Sequence, residues 1–195
     1  MKNNLLKIIA ASLVAMMPLS NAHAEHSEKT ATEITYTTGD SIIKFRPFDY
    51  TYTSPNDNQR TDVVVGRKFN NLNLSSYWKF DNKGQSWAGP CAEYKGKALK
   101  DKLNWSLQAM YFFGLNEKTK KEGYIFPSIS YSFKNFSLGL MSYAKKVEGK
   151  EAYVYFGPTL TFKITDNINS MLFESADLLG KGNLFYWKTN INLKQ

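Results

Sequence analysis

The sequence has very little cysteine or histidine. Cys91 is the single thiol, so no disulfide can form within the chain. Stability in an oxidising compartment must then come from hydrogen bonding and packing. The two histidines are His23 and His26, and both precede the patterned part of the chain. A Ser-His-acid hydrolase, an acid-histidine protease and a histidine-rich metal site would each lack a central part. The expectation is therefore a protein without catalytic residues, metal or cofactor. Asp49, Glu93 and Glu174 are not paired in sequence, and an isolated acid on a polar face is usually an ion-pair partner. A long apolar run is also missing. Ile8 to Leu19 is shorter than the ~20 residues a spanning helix needs, which excludes a helical membrane protein. No glycine-rich phosphate loop or base-stacking motif is present, so nucleic acid is not an expected partner.

What is present begins with a leader. Lys2 and Lys7 precede the apolar stretch, and Ala22-His23-Ala24 supplies small residues at a cleavage site, so residues 1–24 read as a signal peptide. Residues 25–40 read as an N-terminal tail and 41–195 as a single domain. The whole chain carries 25 basic and 17 acidic residues. Without Lys2 and Lys7 the balance is 23 to 17, a moderately basic mature chain of +6.

The domain is dominated by a period of two, the mark of strands. Leu103, Trp105, Leu107, Ala109, Tyr111 and Phe113 share one face, with Asn104, Ser106 and Gln108 on the other. Ile125, Pro127, Ile129, Tyr131 and Phe133 oppose Ser128, Ser130 and Ser132, and Phe185, Trp187, Ile191 and Leu193 oppose Tyr186, Lys188, Asn190 and Asn192. Ten strands are predicted: Ser41 to Thr53, Thr61 to Phe69, Leu72 to Phe80, Cys91 to Leu99, Leu103 to Gly114, Gly123 to Phe133, Phe136 to Ala144, Glu151 to Ile164, Ile168 to Ser175 and Leu184 to Lys194. Eight strands with a long plugging loop is the alternative. The joints alternate: Asn70-Asn71, Lys100 to Lys102, Lys134-Asn135 and Thr165 to Asn167 are short, while those between them are longer and polar. An even strand count would set both termini at the short-turn rim. Pro127 and Pro158 each remove a ladder donor and are expected at bulges.

Strand length, loop alternation, and Tyr and Trp near strand ends resemble the small outer-membrane β-barrels of bacteria. The resemblance covers the mature chain as a pattern, without a diagnostic motif. The terminal Leu193-Lys194-Gln195 lacks the closing aromatic residue usual in that class. It implies an all-β fold, a single antiparallel up-and-down transmembrane barrel in the outer membrane, with apolar side chains turned to lipid. Implied partners are membrane lipid, including lipopolysaccharide, small solutes and the outer-membrane assembly machinery. A soluble periplasmic calyx would turn the same apolar residues inward around a ligand.

On the faces read as inward, Lys79, Lys95, Lys97, Lys163 and Lys188 are candidates for a positive lumen favouring small anionic solutes. Alternatively they neutralise lumen acids in a barrel too narrow to conduct, serving adhesion or envelope integrity. Trp87 falls in the predicted loop Asp81 to Pro90, as a constriction or an adhesive tip. Lys118, Lys120 and Lys121, with Lys145, Lys146 and Lys150, fall in two long loops, either solvated or facing lipopolysaccharide phosphates.

Overall fold

The computed structural model describes residues 26–52, 58–179 and 182–194; the stretch 1–24, read above as a leader, lies outside them. Among the described residues, eleven strands form one closed barrel: β1 His26–Thr38, β2 Ser41–Tyr52, β3 Asn58–Phe69, β4 Leu72–Asp81, β5 Ser86–Ala98, β6 Leu103–Gly114, β7 Glu122–Ser132, β8 Phe136–Val147, β9 Tyr153–Lys163, β10 Ile168–Asp177 and β11 Asn183–Lys194. Each strand pairs antiparallel with its sequence neighbours, and β1 closes the cylinder by pairing parallel with β11, His26 opposite Asn183 through Thr37 opposite Lys194. In a meander of odd strand count, the first and last strands run the same way, so closure requires one parallel seam.

The expectation of ten strands is thus corrected to eleven. The extra strand is made from residues 26–38, read above as a tail. Ala31 and Glu33 point inward and are buried, which leaves Thr30, Thr32, Ile34 and Tyr36 on the outer face. Threonine is β-branched and suits a strand, but it carries no strong apolar signal. One consequence is that His26 sits beside Asn183 at the long-loop rim, so only the C-terminal end of the barrel lies at the short-turn rim.

The connections alternate with less contrast than expected, because the predicted long loop Asp81 to Pro90 shrinks to 82–85, no longer than 99–102 or 164–167. Turns at 39–40, 70–71, 99–102, 133–135 and 164–167 define one rim, and 82–85, 115–121, 148–152 and 178–182 lie at the other. Asn70 takes φ +52°, the left-handed conformation that asparagine tolerates in tight turns. The weak segment at Cys91 is a real strand that begins five residues earlier than predicted, at Ser86.

Pro127 and Pro158 are not at bulges. The β7–β8 ladder steps from Ile125–Ala144 to Ser128–Met141, and β9–β10 from Phe156–Ala176 to Thr159–Phe173. Equal numbers of residues are skipped on both strands, so each proline interrupts one ladder and the register survives. The true bulge is in β2: Thr32 and Ile34 pair with Phe48 and Phe45, while Arg46 and Asp49 pair with Asp62 and Arg60. β2 therefore carries one extra residue against both neighbours, at the Arg46-Pro47-Phe48 step.

The outer wall is mostly apolar, with Glu174 as a charged exception on β10. Ile43, Phe45, Val65, Leu74, Trp105, Leu107, Tyr111, Phe113, Ile125, Ile129, Phe162 and Trp187 are all exposed. Inside are the buried charges Glu33, Asp62, Lys79 and Glu122, together with a smaller apolar cluster of Val64, Tyr77, Trp87, Phe112 and Tyr124. A calyx with its greasy groups around the centre and its charges outside would have the opposite distribution.

Candidate functional site

One arc of the inner wall is charged, and the β2 bulge sits within it. Alternation along β2 places Ile43 and Phe45 outside and Lys44 and Arg46 inside. Arg46 donates through Nη2 to Glu33 Oε2 at 2.7 Å and through Nη1 to Asp62 Oδ2 at 3.0 Å. Asp62, 1% exposed, also accepts from Arg60 Nε at 2.7 Å and Nη2 at 3.1 Å, and from the Tyr77 hydroxyl at 2.7 Å. Lys188 reaches Glu33 Oε2 at 2.9 Å, and Lys44 stands 4.0 Å from Oε1 of the same carboxylate. Bulges commonly re-aim side chains beside functional sites, and this one adjoins the residue that links the two carboxylates.

A second cluster crosses the barrel near the long-loop rim. Lys79 donates to Glu122 at 2.6 Å and to the Tyr124 hydroxyl at 3.2 Å, Tyr124 donates to Glu122, and Lys145 pairs with Glu122 at 3.4 Å. The Lys79 ammonium lies 3.8 Å from the Phe112 ring centroid and 4.8 Å from those of Trp87 and Tyr124. This aromatic cage favours the cation electrostatically.

Two cavities meet at this crossbar, sharing Arg60, Lys79 and Tyr124 as walls. The lower, of about 300 Å³, extends to Ile42 and Asn73, each the second residue of its strand at the short-turn rim. The upper is a cup of about 340 Å³ at the long-loop rim. Its described lining contains Arg60, Lys79, Lys118, Lys120, Lys145 and Lys150 against one acid, Glu122. Such an excess of one sign raises the local concentration of counter-ions.

The lysines predicted to line the lumen separate into groups. Lys79 and Lys188 are inside, but as ion-pair partners of Glu122 and Glu33. Lys95, 53% exposed, pairs with Glu93 at 3.0 Å, and Lys97 is exposed near the end of β5. Lys163 is exposed at the short-turn rim and pairs with Asp166 at 2.5 Å. A hydrogen bond from Lys163, and then its charge, hold the Asp166 carboxyl below its ordinary range. Trp87 is neither a loop constriction nor an exposed tip. It lies buried on β5, and its indole N–H donates to the Lys120 carbonyl at 3.0 Å, tying the 115–121 loop to the barrel. Lys118 and Lys120 face the cup, while Lys121 is exposed outside its described lining. Lys145 belongs to β8 and not to a loop.

Among the carboxylates considered above, Glu93 is occupied by Lys95 and the Asn73 amide, Glu174 faces outward, and the Asp49 side chain lies outside the described residues. Cys91 is buried and accepts a hydrogen bond from Gln108 at 3.3 Å. Sequence reasoning missed Glu33, Arg46, Arg60, Asp62 and Glu122. Arg60 and Asp62 sit two apart on one strand face, a visible sign of an inward charged pair. Glu33 was hidden in the presumed tail.

The sequence matches no protein-family model and no curated protein. Fold and site geometry therefore define the class, a closed eleven-stranded β-barrel with an apolar outer wall and a charged lumen.

Proposed function

We propose that this chain is an outer-membrane β-barrel that passes small solutes passively and prefers anions. The observation that carries it is the pair of cavities, placed end to end inside an apolar-walled cylinder, with six basic residues and one acidic residue around the upper one. The leader read from residues 1–24 supports export, and a closed ladder with an apolar exterior meets what lipid demands of a spanning structure. Lipid and the assembly machinery are the partners such a location entails, with exposed loop lysines such as Lys121 facing lipopolysaccharide phosphates. No catalytic step is assigned.

The selecting charges are those of the cup. Lys79 and Lys188 are counter-ions to buried acids, so reversing them would set two carboxylates against each other and disturb the wall itself. Lys118, Lys120 and Lys150 form no ion pair among the described residues. Replacing all three by Glu changes the cup from six bases and one acid to three bases and four acids. In planar bilayers under a KCl gradient, the natural chain should give a reversal potential on the anion side. The triple variant should change the permeability ratio about tenfold or more and cross to the cation side. An unchanged potential would remove the cup from the selectivity mechanism.

A non-conducting barrel serving adhesion or envelope integrity is the second reading. The crossbar of Lys79, Glu122 and Tyr124, packed on Phe112 and Trp87, favours it by occupying the cross-section between the cavities. Absence of any conductance from correctly folded protein would decide for it.

A further inference from the structure

The lower cavity has two chemically different walls. In the closed strand order, β1, β2 and β11 form one arc, while β6, β7 and β8 lie across the barrel from it. The first arc presents Lys44, Arg46 and Lys188 around Glu33. The second carries no charge in this cavity: it presents Met110, Phe126 and Met141 beside the neutral polar Ser106, Gln108 and Ser128, with Phe126 stacked on Tyr143 at 4.9 Å between ring centroids. A purely aqueous ion path gains nothing from such a wall, because water and inorganic ions are poorly solvated by thioethers and aromatic faces.

We infer that the lower cavity is a binding site for a small amphipathic carboxylate, its anionic head on Lys44 and Lys188 and its apolar body against Met110, Phe126 and Met141. Three features support this assignment. Glu33 Oε2 already takes Arg46 and Lys188, which leaves Lys44 at 4.0 Å from Oε1 and otherwise within longer electrostatic reach of Glu93, with no close ion pair of its own. An ammonium has three donors, so Lys44 and Lys188 both retain N–H groups for an incoming carboxylate, in charge-assisted bonds. Methionine is polarizable and adapts to ligands of varied shape, which suits an alkyl or aryl body. The cavity of about 300 Å³ lies at the small end of ligand pockets, ~300–1,000 Å³, and so limits the body to a short chain or one ring. The inference rests on the solute-path reading only in requiring that the lumen be reached from outside.

The test is equilibrium binding to the full-length mature chain in lipid nanodiscs, with empty discs subtracted, using 3-phenylpropanoate, 3-phenylpropanol and acetate as probes. Phenylpropanoate should bind saturably, with the neutral alcohol and acetate each weaker by about tenfold or more. Lys44→Met should weaken phenylpropanoate by about tenfold and leave the alcohol unchanged. Met141→Ser should weaken phenylpropanoate and leave acetate unchanged. Both substitutions lie in the cavity lining, and Lys44 has a single long ion-pair contact, so folding should survive. Three results would each overturn the assignment: no saturable binding, acetate as strong as phenylpropanoate, or alcohol as strong as the carboxylate. Chloride conductance is measured separately. A conducting barrel that does not bind the probe sinks this inference alone, and a binding barrel that does not conduct sinks the channel alone.

Discussion

Asp62→Ala should destabilise the barrel by about 3–5 kcal/mol, the cost of leaving buried charge without its counter-ion. Four donors from Arg46, Arg60 and Tyr77 converge on this one carboxylate, and at 1% exposure water cannot replace it. Removal leaves the Arg46 and Arg60 guanidinium groups facing each other in the cavity wall, together with a Tyr77 hydroxyl that has lost its acceptor. Urea titration of protein folded into lipid vesicles, followed by tryptophan fluorescence and heat-modifiable gel mobility, would measure the loss. Asp40→Ala is the control. Its contact with Arg67 is 3.9 Å long and both side chains are 66% exposed, so an effect of about 0–1 kcal/mol is expected. Equal effects at the two positions would show that the charged wall contributes no more to stability than a surface pair. Buried ion networks are weak evidence for stability in themselves, since apolar replacements of the whole set are often as stable.

Deletion of residues 26–38 should abolish folding in lipid altogether. β1 supplies two complete ladders, one to β2 and one to β11, and without it both neighbours become open edges. Every unpaired backbone group in hydrocarbon costs several kcal/mol, which soon exceeds the ~5–15 kcal/mol of net stability typical of a domain. Heat-modifiable mobility and protease resistance should both be lost. The informative alternative is a deleted chain that still folds. β2 and β11 run antiparallel to each other, so they could pair directly in a ten-stranded barrel, and β1 would then be accessory. A cross-link supplies the positive control. In a Cys91→Ser background, Thr32→Cys with Thr189→Cys, register partners on the outer face, should form a disulfide on oxidation, because paired strand positions fall within bonding reach.

The outer face was legible in the sequence because its positions carry large apolar side chains at a strict period of two. β6, β7 and β11 therefore read correctly almost to the residue. β1 was not legible, because its outer face is mostly threonine and its inner face carries Ala31 and Glu33. The parallel seam followed from that one omission, as did the misplaced N-terminal end. The inner face was legible only in type. Lys79 and Glu122 are 43 residues apart in sequence, and their meeting depends on the registers of three successive strand pairs. Trp87 was misplaced because the glycines and the proline around it look like a loop. In the barrel, Gly89 and Pro90 instead accommodate an interrupted ladder with β6, which steps from Ala88–Phe113 to Cys91–Met110.

The most direct test of apolar-outside, charged-inside is alternate labelling along β6 in the same Cys91→Ser background, one cysteine at a time at Ser106, Leu107, Gln108 and Ala109, in vesicles containing brominated lipid. Positions 106 and 108 should react with a water-soluble maleimide and show no bromine quenching of an attached fluorophore, while 107 and 109 should be strongly quenched. Quenching at 106 and 108 instead, or at none of the four, would contradict a cylinder that faces lipid with its apolar wall.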